Sequence, residues 1–427
     1  LIRRYILAAL VLFLGVLPRL PSQEFPALDL DQNLENDPLT VKLAFFGPGK
    51  ELYSWWGHMG LVIEDSKTGG AAIFDYGVFS FESESFFRNL LTGKLLYSCQ
   101  ESTAEWNIHR YVSAGRDVRL YTLDLSPEIK KRILLQARWD TAPENRDYYY
   151  HFFKDNCATR TRDILAMATE GAFFQEYGEA PGRYTLRQQG LRYTWFSPFF
   201  DWLLDFAMGR DIDTPATVWE EMYLPLEIER NIRDFTYPDP GGTIRPLVLS
   251  VETVHTADRP APLVVPKEQW PRALLAGTGT ALALILLGLL RKSRSTAGRI
   301  LMGTFHAAAG FFFGILGSIL FYLSLFSMHD YTWHNINLFF INPLLLAAIP
   351  LGILLAAGRG QGWKISPEKM LKGLWSLILL GILLAAGIKI IPGFYQHNRT
   401  SEALVLPIAL VLSPVPGWLR KRIQKKR

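Results

Sequence analysis

Apolar positions fall into two regimes along this chain. Through about residue 270 they come in short runs broken by turns, and from Arg272 onward they merge into stretches approaching twenty residues. A helix needs about 20 apolar residues to cross a bilayer core. Five stretches approach that length: Ala273–Leu290, Ile300–Ser327, Leu338–Ala357, Leu374–Ile391 and Ala403–Leu419. The last is the weakest, because Pro407, Pro414 and Pro416 leave carbonyls that lipid cannot satisfy. At the other end, Arg3 and Arg4 precede the apolar run Tyr5–Leu17, whose length suits the core of a signal peptide better than a span. No small-x-small pattern leads into Ser22–Gln23, so residues 1–23 read as a signal peptide or an uncleaved anchor. The chain beyond about Gln23 is expected to be exported.

Residues 27–265 read as a mixed α and β domain. Val41–Phe46 is a strand run that ends at Gly47-Pro48-Gly49. His58–Glu64 and Ala71–Gly77 read as neighbouring strands, and Ser66-Lys-Thr-Gly-Gly between them is hairpin-turn chemistry. Ser85–Leu91 has a helical pattern, Val118–Leu125 is a further strand, and Pro127–Trp139 is a helix with Ile129, Ile133 and Leu134 on one face. From Ala158 the spacing of Ile164, Leu165 and Ala168 is again helical, with Asp155 or Asn156 as its N-cap.

Charge adds an orientation. The loops 291–299 and 358–373 carry four basic residues each, the tail 420–427 carries six, and the loops 328–337 and 392–402 hold only Arg399 between them. Lys and Arg mark the cytoplasmic side. Five spans over 273–419, an external domain and a cytoplasmic tail at 420–427 are therefore mutually consistent. Directly after a span, that tail reads as a topology signal and not as a nucleic-acid patch. A composition of 49% hydrophobic and 20% charged residues excludes a disordered chain. Two cysteines exclude a disulfide-built scaffold and a multi-Cys zinc site, and neither metal nor cofactor is expected.

The densest polar cluster is Tyr148–Leu165, and it places Cys157 in the first turn of a helix. The helix dipole and exposed N–H groups there favour a thiolate. A thiol nucleophile needs a base, and His58, which opens a strand beside Trp55 and Trp56, is the candidate. Asp75 on the next strand would orient the imidazole. Plainer readings stand beside these. Cys157 would pair with Cys99 in an oxidising compartment, and His58 would be a core histidine. Asp75 would close a turn with Gly77, Arg162 would belong to a solvated helix face, and Tyr148–Phe153 would be packing.

The strings GHMGLVIED, FDYGVFSF, FFRNLLTGKLLYS and YYHFFKDNCATRTRDIL resemble, in this order, the bacterial DUF4105 or Lnb N-terminal periplasmic domain family. FAMGRDIDTPATVWEEMYLP and HDYTWHNINLFFINPLL resemble its later segments, so the likeness spans roughly Val41–Pro350. The family is similar to permuted NlpC/P60 papain-like enzymes, in which the His-bearing strand precedes the Cys-bearing helix. The resemblance implies an α+β papain-like domain of the permuted NlpC/P60 type, fused to a bundle of about five transmembrane helices. It makes Cys157 the nucleophile and His58 the base. Asp75 stands where many members carry Asn.

The family is implicated in lipoprotein N-acylation at the bacterial inner membrane. The expected partners are a phospholipid acyl donor and a diacylglyceryl lipoprotein acceptor. A cell-wall cysteine peptidase or amidase, a phospholipase, a different lipid acyltransferase and a non-catalytic binding or scaffold protein are the alternative readings. Substrate contacts are expected from Trp55, Trp56, Tyr76, Asn156 and Arg160, and from His329, Asn335 and Asn337 of an external loop. Polar groups where a span begins tend to be functional, and their plainer role is loop capping.

Overall fold

The computed structural model describes residues 37–81, 85–239, 241–292 and 295–414. The expected signal segment 1–23 and basic tail 420–427 lie outside the described residues. The described chain divides into two compact units: one runs to Tyr193 and resumes over Pro215–Leu263, the other combines Thr194–Thr214 with Val264 onward.

The first unit is built on seven strands: β1 (Leu39–Phe46), β2 (His58–Asp65), β3 (Gly70–Val78), β4 (Leu96–Thr103), β5 (Val118–Leu123), β6 (Asp147–Tyr149) and β7 (Val248–His255). They form one antiparallel sheet in the order β7-β5-β1-β2-β3-β4-β6. Alternation along the strands sends side chains to opposite faces. Leu43, Phe45, Met59, Leu61 and Phe74 face one way, into the main core. Ala44, Phe46, Val62 and Ile73 face the other.

Helix α1 (Phe86–Thr92) follows β3, and α2 (Ala104–Ser113) covers the second face with Ala104 and Tyr111. Helices α3 (Pro127–Thr141) and α4 (Cys157–Ala168) contribute Ile129, Ile133, Leu134, Ile164, Leu165 and Ala168 to the main core. Helix α3 starts as its sequence dictates: the Ser126 side chain accepts the Ile129 N–H, and Pro127 occupies the first turn, where no donor is missed.

In the second unit lie α5 (Pro198–Ala207), α6 (Trp270–Lys292), α7 (Thr296–Phe326), α8 (Ala348–Ala357), α9 (Pro367–Ile388) and α10 (Arg399–Leu412). Four segments are long and apolar enough to cross a membrane: Trp270–Leu289, Thr296–Phe326, Ile336–Ala357 and Pro367–Ile388. The fifth expected span is different. Its described part is the 14-residue α10, interrupted by Pro407. At 1.5 Å per residue that is about 21 Å, short of the ~30 Å of a hydrocarbon core, and residues 415–419 lie outside the described residues. Helices α7 and α8 approach closely through glycines. A β-carbon on Gly303 would stand 2.5 Å from the Gly352 carbonyl oxygen, and one on Gly310 would stand 2.7 Å from that of Leu345.

The sequence reads one block from 27 to 265, but the chain interrupts it. Thr194–Thr214 groups with the apolar helices because α5 buries Trp202 and Phe206 in their core. The Trp202 indole N–H also donates to Ser401 Oγ at 3.1 Å.

Candidate active site

His58 is the first residue of β2, paired in register with Phe46 at the end of β1. The preceding Gly57 has φ of +81°, a left-handed turn that a side chain would strain. The imidazole stacks on Phe46 with ring centroids 6.0 Å apart and lies 5.9 Å from the Tyr111 ring. Its Nε2 bonds Asp75 Oδ1 at 2.8 Å, and Asp75 Oδ1 also accepts the Gly77 N–H at 2.8 Å. The β3–β4 pairing shifts between Asp75 and Val78. That irregularity brings Gly77 under the imidazole, where a β-carbon would stand 2.5 Å from His58 Cε1.

Burial disfavours the charged form of His58, but the Asp75 carboxylate outweighs it, helped by Tyr111, Cys157 and the hydrogen bond to Asp75. The imidazole pKa is thereby held well above its ordinary 6.5. For Asp75, burial pushes upward, yet His58, the Gly77 N–H and Arg110 hold the carboxyl below its ordinary 3.8. Each group thus favours the charged form of the other, with Nε2 committed to Asp75. Nδ1 makes no hydrogen bond among the described residues.

Cys157 opens α4 and is half-buried. It lies within electrostatic range of His58, although no hydrogen bond joins them among the described residues. Catalytic contacts in unliganded enzymes are often long. The helix start is fixed by a capping box. Asn156 Oδ1 accepts the Ala158 and Thr159 N–H groups at 2.8 and 3.0 Å, and the Thr159 hydroxyl accepts the Asn156 N–H at 2.8 Å. The Cys157 N–H makes no hydrogen bond among the described residues. Both cysteines are free, and Cys99 is buried in the main core, so the Cys99–Cys157 pairing is not formed.

Several expected contacts take other roles. Tyr76 alternates to the core face of β3, where it is 1% exposed and its hydroxyl donates to Asp140 Oδ2 at 2.7 Å. Asn156 spends its amide inside the protein, with Nδ2 donating to the Phe152 and Tyr223 carbonyls at 2.8 and 3.1 Å. Trp55 is buried and donates to the Lys50 carbonyl. Trp56 is partly exposed, donates to the Gly190 carbonyl at 3.1 Å and packs edge-on against Phe152. Arg160 forms a two-pronged pair with Asp155 and lies 3.7 Å over the Tyr148 ring. Arg162 is not on a solvated face: it is buried, 4.0 Å over the Trp219 ring, and donates to the Trp219 carbonyl.

In the second unit the loop residues act as caps. Asn335 Nδ2 lies 2.9, 3.1 and 2.9 Å from the Phe206, Ala207 and Met208 carbonyls, and Asn337 Nδ2 lies 3.0 Å from that of Phe206. These are the carbonyls left over at the C-terminus of α5. Asn335 Oδ1 is taken by Asn337 N–H and Gln396, and Asn337 Oδ1 by Asn398. Their amides are therefore bonded to protein partners. His329 is buried and bonded to the Tyr331 hydroxyl at 2.9 Å.

The sequence did not single out Tyr111 or Arg116. Tyr111 stacks on Phe46 with centroids 3.8 Å apart, and the Arg116 guanidinium lies 4.7 Å from its ring. Arg116 Nε donates to the Gly47 carbonyl at 2.6 Å, fastening the loop that leads to His58. The buried positions Ala104, Asn107 and Tyr111 recur at helical spacing, which is the one signal that would have found this helix. A cleft lined by Ala168, Glu170, Asp239 and Arg245 lies at the C-terminal end of α4, about 17 Å along the helix from Cys157 at 1.5 Å per residue, too far to join this chemistry.

The protein thus combines an antiparallel α+β domain, bearing a Cys, a His and an Asp at one sheet end, with four helices fit to cross a membrane. Residues 28–188, which include all three side chains, match the model of the Lnb N-terminal periplasmic domain family. The match ends before α5, so the later strings at 206–225 and 329–345 fall outside it. No curated protein and no solved structure matches the chain.

Proposed function

We propose that this protein is a membrane-bound cysteine acyltransferase. It moves an acyl chain from a phospholipid, through a thioester on Cys157, to the α-amino group of a diacylglyceryl-Cys lipoprotein. The observation that carries this is the His58–Asp75 pair with Nδ1 unengaged, within electrostatic range of a cysteine at a capped helix start. The order His58, Asp75, Cys157 suits a permuted papain-like arrangement, and the membrane helices favour substrates that reside in a bilayer. We place the domain on the external side, with the basic loops 291–299 and 358–373 in the cytoplasm.

In the first half-reaction Cys157 Sγ attacks an ester carbonyl carbon, forming a C–S bond as the C–O bond to glycerol breaks. The thiol proton, held on His58, passes to the departing lysophospholipid oxygen. In the second, a neutral α-amine attacks the thioester carbonyl. The N–C bond forms, sulfur leaves, and the amine proton goes to His58. An amide is more stable than a thioester, so the step runs downhill. The Cys157 N–H at the helix start is a donor for the oxyanion. Asp75 and Gly77 position the imidazole, and Trp56 and Phe152 shield the thioester from water.

The test is to incubate the full chain in detergent with a phospholipid carrying an alkyne-tagged acyl chain. A hydroxylamine-labile tag on the Cys157 peptide, absent in Cys157→Ala, supports the reading. A protein that takes up no tag but cleaves muropeptides would be a cell-wall peptidase instead.

A further inference from the structure

Helix α1 is unusual for its composition. It reads Phe86-Phe-Arg-Asn-Leu-Leu-Thr, yet none of its residues is buried. Phe87, Leu90, Leu91 and the nearby Leu96 are 52%, 40%, 44% and 52% exposed. Contiguous exposed apolar surface of this kind marks an interaction site. A series of aromatic contacts also leads from it toward the segments that carry the site. Rings run from Phe87 to Phe86, Phe81 and Phe79 with centroid separations of 5.5, 5.0 and 4.7 Å. Phe79 then contacts Tyr53 at 5.6 Å and Tyr97 at 4.7 Å. Tyr53 precedes His58 in the same loop, and Phe79 follows Gly77 by two residues.

Among the described residues, the charges on and just after this helix are cationic. Arg88 and Lys94 are exposed and make no ion pair among the described residues. Apolar side chains flanked by Arg and Lys suit the boundary between acyl chains and anionic headgroups. The chain also carries four helices fit to cross a membrane, which tether this domain to a bilayer.

We propose that α1 and its aromatic extension form a membrane-docking surface, with Phe87, Leu90 and Leu91 inserted among phospholipid acyl chains and Arg88 and Lys94 at the phosphates. The docking stands on the exposed face itself. Its consequence, that lipid enters the Cys157 site along the aromatic path, rests on the acyl-transfer reading.

The test labels Leu91→Cys and, separately, Phe87→Cys with a polarity-sensitive fluorophore. The background is Cys157→Ala, in which the remaining Cys99 is buried. Full-length protein is reconstituted into vesicles of phosphatidylglycerol and phosphatidylethanolamine. Lys67→Cys, in the exposed turn at the far end of β2 from His58, reports the fraction of domains accessible from outside. The proposal expects blue-shifted emission at both positions, strong quenching by nitroxide-bearing lipid, and several-fold less quenching by aqueous iodide than at Lys67→Cys. Iodide quenching equal to that at Lys67→Cys would overturn it. Protection from both quenchers would overturn it too, because the face would then be covered by protein. Neither result depends on activity, so the docking can fail while the acyl-transfer reading stands.

Discussion

Gly77 faces the His58 ring so closely that a β-carbon there would stand 2.5 Å from Cε1. Position 77 therefore sets where the imidazole lies, and it does so from the irregular stretch of β3 that also supplies the Asp75 hydrogen bonds. Gly77→Ala is expected to displace His58 from Asp75 and to lower acyl-transfer activity by about 10²-fold, the scale of an ångström-sized misplacement. The thermal midpoint should fall as well, because the displaced ring breaks a buried ion pair. Activity and unfolding measured on the same preparation check both halves.

The His58–Asp75 pair predicts a pH signature. His58 is raised above 6.5, so its contribution to stability is complete below that value and is lost as the pH climbs through the folded-state pKa. Asp75 is lowered below 3.8, so its contribution is present above that value and is lost as the pH falls through the folded-state pKa. Asp75→Asn keeps an acceptor and removes the charge. The alkaline limb of the pH–rate profile should then move to lower pH, because His58 loses its proton more readily. A profile whose alkaline limb does not move would mean that Asp75 does not act on the imidazole.

Asn156 is expected to matter for the helix start and not for substrate affinity. Asn156→Ala removes the cap on two N–H groups and leaves the Phe152 and Tyr223 carbonyls without their donor. The cap alone is worth about 1 kcal/mol, and each buried carbonyl left unmade adds about 1–3 kcal/mol. Asn156→Asp retains the cap and loses the donors, so its loss should be intermediate. Denaturant unfolding of the three proteins orders them.

Asn335→Ala should destabilise the second unit by about 2 kcal/mol or more, because buried carbonyls at the end of α5 lose their donor. KM for a lipopeptide should remain near that of the parent at temperatures where the variant is folded. A rise in KM with unchanged stability would instead support Asn335 as a substrate contact.

The local pieces of the site were legible because their causes are local. His58–Asp65 alternates, Ser66–Gly70 turns, and Asn156 caps a helix whose apolar spacing begins at once. The pairing of His58 with Asp75 came from their places on adjacent strands. The features that stayed hidden depend on partners distant in sequence. Tyr111 reaches the site only through the packing of α2 over Phe46, and the chain around 194–214 gives no sign that α5 belongs with the apolar helices. Asn335 and Asn337 looked functional because polar groups where a span begins usually are. Only the folded chain shows that their acceptors are the α5 carbonyls about 130 residues earlier.

The central claim is acyl transfer through Cys157, and the product is its most direct test. Full-length protein in detergent would be given phospholipid and a diacylglyceryl-Cys lipopeptide, and the lipopeptide weighed by mass spectrometry. The account predicts one added acyl chain on the α-amine, lost by about 10⁴-fold in Cys157→Ala, the scale set by removing a catalytic nucleophile. An unmodified lipopeptide with free fatty acid released by the wild type, or acylation that persists in Cys157→Ala, would contradict it.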